Sequence, residues 1–103
     1  MSFDSQKQTK GKHKYWNRVD IPAMIEPVAE QRRVIIEEIG KYPESMEWPD
    51  ICVTEFIDAM QRHMDDVREA GDPFAIDPET GNPHLFAIGF NYMVWAMKYK
   101  GRG

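Results

Sequence analysis

Two stretches of this chain carry side chains able to act on a small polar ligand. In the last one, HLFAIGFNYMVWAMKY, His84 and Asn91 stand among apolar neighbours, seven residues apart on one helical face, and Lys98 continues the line. Polar groups on a buried surface need partners. The stretch before it offers them: Glu55, Asp58, Arg62, Asp65 and Glu69 form a charged stripe, and His63 sits at its border. The set suits a nucleotide-type ligand. A guanidinium holds phosphate oxygens, a carboxamide offers donor and acceptor to a base edge, and an imidazole orients the ligand or takes a proton near neutral pH. Plainer readings stand beside these. The stripe also reads as a solvated face with pairs such as Asp58–Arg62, each worth about 0.2–0.5 kcal/mol. His63 also reads as a packed border residue, and His84 with Asn91 as a polar pair that fixes register in a bundle.

The elements that position these residues are helices. Val53, Phe56, Ile57, Met60, Met64 and Val67 recur at helical period, which predicts a helix over 49–70 opened by Pro49 and ended by Gly71. Upstream, Asp20 caps and Pro22 suits a first turn, so a helix is predicted over about 21–40, with a kink or a preliminary turn at Pro27. Its apolar face is Val28, Ile35 and Ile39; Gly40 ends it and Pro43 blocks resumption. The connector 42–49 is polar except for Met46 and Trp48, which anchor it. In the loop 72–83, Phe74 and Ile76 are expected to pack down, Gly81 to take positive φ, and Asn82 to cap a last helix over 83–99. His84 then lies in the first turn, where amide donors and the positive dipole end attract anions. That helix is apolar nearly all round, so it must be surrounded, which predicts a homo-oligomer. The expected architecture is all-α: a small bundle of three main helices completed by oligomerisation.

Composition narrows the classes. The chain has 103 residues, which suits one domain, taken here as 18–100, behind a flexible basic tail, 1–17. Nine Ile, seven Met and a single Leu give an adaptable apolar set. Residues 1–18 carry five cations against Asp4, and the remainder carries eight cations against sixteen anions. An acidic body argues against duplex nucleic acid as a partner and suits carboxylates holding a divalent cation. The lone Cys52, the absence of a signal-peptide core and the shortness of the apolar run at Leu85–Gly89 lead to the expectation of a cytoplasmic protein with no membrane partner.

The run RHMDDVREAGDPFAIDPETGNPHLFAIGFN resembles the small phage and bacterial family of dATP/dGTP diphosphohydrolase N-terminal domains. The carrying residues are Arg62, His63, Gly71, Asp77, Glu79, Thr80, Gly81, Pro83, His84, Leu85 and Asn91. Val28-Ala29-Glu30 and Lys41-Tyr42 match a looser upstream segment. The likeness covers roughly residues 18–99, and its specific part is 62–91. It implies a helical protein of phage origin with a purine deoxynucleotide ligand, and it places Asp77 and Glu79 among the ligand-binding residues. The family often has a second His three residues after the first, where this chain has Ala87. A vaguer likeness, to the all-α MazG-type pyrophosphohydrolases, rests on Glu37-Glu38 and Glu55-Phe-Ile-Asp58.

An enzyme of this kind needs Mg²⁺ on the triphosphate and a water held in line. Glu38, Glu55 and Asp58 would supply metal oxygens if the first two helices pack antiparallel, with His84, Glu55 and Asp58 as catalytic groups. Arg62 and Lys41 would hold phosphates, Asn91 the purine edge, and Trp48, Trp95 or Tyr42 would stack on the base. Two other classes stay open: a non-catalytic anti-defence protein that sequesters a nucleotide second messenger, and a structural or partner-binding phage protein.

Overall fold

The structure, a computed structural model, describes residues 19–42 and 52–101. The basic tail, Met46, Trp48 and the expected helix start at Pro49 lie outside the described residues. Three helices succeed one another: α1 (Ile21–Arg33), continued by a π turn (Val34–Glu38), α2 (Val53–Ala70) and α3 (His84–Lys100). The fold is all-α, and the lone β-bridge among the described residues joins Ile76 to Pro83.

Asp20 caps α1 as expected, its carboxylate accepting the Ala23 amide at 3.1 Å. The helix runs on through Pro27 rather than starting after it. The apolar run Val34-Ile35-Ile36 then decides how the first helix ends. A regular α-helix cannot turn three successive residues to one side, and here the ladder widens, with the Ile39 amide reaching back to the Val34 carbonyl at 2.8 Å. The widened turn buries Val34, Ile35 and Ile36 together. It also puts Ile39, expected on the core face, outside at 41% exposure.

Both α1 and α2 pack on α3 and, among the described residues, not on each other. Ile35, Ile36, Phe56, Phe90 and Val94 form the core, with Val28, Tyr42 and Met93 against it. The sequence condition for a metal held between the first two helices, that they pack antiparallel side by side, is therefore not met: each packs on α3, and they leave a gap between them. The close fit of α1 on α3 depends on Gly89, where a Cβ would come within 3.1 Å of the Val28 side chain. Two neighbours do not cover a helix that is apolar all round. Leu85, Tyr92, Trp95 and Tyr99 stay exposed on α3, and the first two share a hollow with the exposed Met24 and Ile25 of α1.

Gly89→Val puts a branched side chain into that contact and should cost about 1–3 kcal/mol through overpacking. A thermal melt of the variant should show a clear loss; an unchanged midpoint would mean that α1 and α3 are not seated as described.

Candidate functional site

The loop between α2 and α3 is built inside out. Phe74 and Ile76, expected to pack down, are exposed at 64% and 55%, while Asp77 and Asn82 are buried. The reason is hydrogen bonding. The Asp77 amide donates to the Asn82 carbonyl and the Gly81 amide to the Asp77 carbonyl, each at 2.8 Å. The Asp77 carboxylate accepts the Glu79 amide at 3.0 Å, and the Thr80 hydroxyl accepts the Asn82 amide at 3.1 Å. This tight ring needs a left-handed residue, which Gly81 supplies at φ 77°. Asn82 does not cap α3. Its side chain donates instead to Gln31 of α1 at 3.1 Å, and Pro83 takes the cap position.

That loop and the start of α3 deliver a compact set of titratable groups. The Nδ1 atoms of His63 and His84 lie 2.8 Å apart. One must carry a proton and the other a lone pair for this hydrogen bond to form. Asp66 Oδ2 lies 4.0 Å from His84 Nδ1. Among the described residues, His63, Asp77 and His84 are the one group of three potential metal ligands whose donor atoms all come within 4.8 Å of one another. Burial of His63 outweighs the attraction of Asp77 and pushes its pKa below the ordinary value; Asp66 pulls upward, His84 and Arg62 downward.

In front of this set, a cavity of about 510 Å³ opens in the gap left between α1 and α2. His63, Asp66, Asp77 and Glu79 line one end, and Arg62, Lys41, Tyr42 and Asn91 line the middle. A second hollow shares Lys41, Tyr42, Ala59, Arg62 and Asn91 with it and continues past Glu55 and Asp58. Together they make one cleft with carboxylates at both ends and cations between. Arg62 makes no ion pair among the described residues, whereas Lys41 Nζ lies 3.6 Å from a Glu79 carboxylate oxygen.

Most of the sequence-derived candidates meet here. Lys41, Glu55, Asp58, Arg62, His63, Asp77, Glu79 and Asn91 all line the cleft. His84 is buried behind the wall and reaches the cleft through His63. Glu38 lies outside it, ion-paired with Arg33. Trp95 stands a turn beyond Asn91, in a separate hollow with Tyr92, Ala96 and Tyr99. Trp48 lies outside the described residues, so of the three aromatic candidates Tyr42 is the one shown in the cleft, stacked on Phe56 with centroids 6.3 Å apart. Sequence reasoning missed Gln31 and Asp66. A polar residue among apolar ones at Val28 and Ile35 was the available sign for the first, and the three-residue spacing from His63 for the second.

An all-α protein with a charged, imidazole-bearing cleft is thus the class that the geometry defines. Residues 4–103 match the family model described as dATP/dGTP diphosphohydrolase, N-terminal, and the chain belongs to that family. No curated protein and no solved structure matches it significantly. Among the described residues, no helix is long and apolar enough to cross a membrane.

Because His63 titrates lower in the fold than in the open chain, the unfolded state takes up more protons as pH falls below about 6.5. Stability should therefore drop between pH 7.5 and 5.5, level off below the folded value, and drop less in His63→Gln. Urea midpoints at the two pH values check this, and an identical pH slope in the variant would count against the assignment.

Proposed function

We propose that this chain binds a purine deoxynucleoside triphosphate in the cleft and hydrolyses it between the α and β phosphates. The observation that supports it most is the convergence of Arg62, Lys41, Asn91 and the His63–His84 pair on one cleft, in a member of a family named for this activity. Water attacks the α phosphorus, the bond to the bridging oxygen breaks, and pyrophosphate leaves with that oxygen. Arg62 takes the phosphate oxygens as a cation not already committed to a carboxylate, and Lys41 joins it by leaving Glu79. Tyr42 presents a ring to the base, and Asn91 its carboxamide to the purine edge. The proton of the attacking water passes to the Glu55–Asp58 end of the cleft. His84 acts by positioning, since it is buried and fixes the ring of His63. Glu55 and Asp58 are hard oxygen donors that would hold a Mg²⁺ ion brought by the triphosphate, and such an ion would supply neutralisation of its charge.

One observation favours sequestration without turnover. Ala87 is buried in the cavity wall where the resembling family often has a second His. A cleft lacking that imidazole holds a nucleotide, such as an immune second messenger, with the same cation and aromatic contacts. The two readings part in one assay with dATP, dGTP and Mg²⁺. Hydrolysis predicts monophosphate and pyrophosphate, a kcat lowered about a hundredfold or more by Asp58→Ala, and a KM raised about tenfold or more by Arg62→Ala. Sequestration predicts intact nucleotide recovered after denaturation. Neither product nor bound nucleotide, cyclic dinucleotides included, would defeat both.

The proposal includes self-association. Met24, Ile25 and Val28 of α1 and Leu85, Tyr92 and Met93 of α3 line an apolar hollow of about 630 Å³. A surface of this kind marks an interaction site. Sedimentation should give a multiple of the 12.0 kDa chain mass, and Tyr92→Glu should bring it down. A wild-type chain that sediments as a monomer removes this part.

A further inference from the structure

We propose that His63, Asp77 and His84 bind a divalent transition-metal ion of the Zn²⁺ and Co²⁺ class, at a site distinct in chemistry from that of a phosphate-borne Mg²⁺. Three separate segments supply the donors: the middle of α2, the loop, and the first residue of α3. Their donor atoms lie within 4.8 Å of one another, and two of the three residues are buried.

The two imidazoles fit closely in distance. Two imidazole nitrogens at about 2.05 Å from a tetrahedral ion are about 3.3 Å apart. Here they are 2.8 Å apart, so the rings need open by only about half an ångström. On binding, the proton shared between the two Nδ1 atoms moves to the Nε2 of its own ring, leaving both Nδ1 lone pairs for the ion. Asp77 is already aimed by its outer contacts, since the Glu79 amide bonds its carboxylate and the Asn82 carbonyl and Gly81 amide fix its backbone. Such outer contacts set the orientation of a ligand and raise affinity. His84 is likewise held, its amide donating to the Ala75 carbonyl at 2.9 Å.

Donor chemistry selects the ion. Two imidazoles and one carboxylate suit Zn²⁺ or Co²⁺, whereas Mg²⁺ takes oxygen ligands and keeps its waters. Geometry leaves one side open. His63, Asp66 and Asp77 line the cavity, so water, the Asp66 carboxylate or a phosphate oxygen completes the shell from there. Three protein ligands with an open position are the arrangement of reactive metal sites rather than structural ones. An ion here would meet the phosphates of the nucleotide, and in that respect the inference deepens the proposed function. Its test uses no nucleotide, so the two stand or fall separately.

The full chain, stripped with a chelator and dialysed, is titrated with Co²⁺ and then with Zn²⁺. One equivalent of Co²⁺ should bind with visible d–d absorption, be displaced by stoichiometric Zn²⁺, and be unaffected by excess Mg²⁺. His63→Gln and His84→Gln should each weaken binding by about a hundredfold or more, since even outer-shell losses cost ten- to a hundredfold; Glu69→Gln should not. As a check independent of variant folding, ring ¹⁵N signals of His63 and His84 in the wild-type chain should move with Zn²⁺ while His13 does not. No uptake at a severalfold molar excess, uptake undiminished in His84→Gln, or shifts confined to His13 would overturn the site. Nucleotide turnover in Mg²⁺ alone would be untouched by any of those results.

Discussion

The carboxamide contact between Asn82 and Gln31 is the constraint on which the site depends. It is a buried bond between residues 51 positions apart, and it ties the α2–α3 loop to the first helix. A buried amide without its partner costs about 1–3 kcal/mol, so the loop cannot lift without exposing or orphaning both groups. The ring of backbone bonds around Asp77 then has a fixed base. From that base the carboxylate of Asp77 and the imidazole of His84 are set against His63. The apolar residues of the loop contribute little to this, since Phe74 and Ile76 point outward.

The helices were largely legible in the sequence. The helix marked by the stripe Val53 to Val67, the cap at Asp20, the stop at Gly71 and the positive φ of Gly81 are local signals, and each is found in the fold, although Met64 of that stripe is exposed. The course through Pro27 was not legible, because a proline in the second turn breaks one ladder bond and packing decides whether that matters. Nor was the π turn. Periodicity assigned Ile39 to the core, but burying three successive β-branched residues was the stronger demand. The clearest failure concerns arrangement. Nothing in one helix reports which neighbour it chooses, so the sequence does not show that the first two helices pack on α3 and not on each other. For that reason Glu38 stands apart from Glu55 and Asp58.

The site was legible as an inventory more than as a geometry. Most of the charged residues lining the cleft are marked in the sequence by clustering at helical spacing or within the family-like run, Asp66 and the polar Gln31 excepted. Their grouping was hidden. His63 and His84 are separated by a helix half, a loop and a turn, and only the folded loop brings their nitrogens into contact. Asn82 shows why turn chemistry alone misleads: a residue with a strong capping preference was taken by a distant partner that had no other way to satisfy a buried oxygen.

The π turn carries a surplus residue relative to an α-helix, and Lys41 and Tyr42 come soon after it. Beyond it, across Gly40 at φ 68°, the Lys41 amide donates to the Ile35 carbonyl at 2.7 Å and ties the chain down just before it enters the cleft wall. Excising one residue from Val34–Glu38 would let the segment relax to regular pitch and swing Lys41 and Tyr42 by about a quarter turn. The ammonium and the phenol would then leave the wall while every helix stayed intact. The length of the chain in this short segment, as much as the identity of its side chains, thus sets the reach of the cleft.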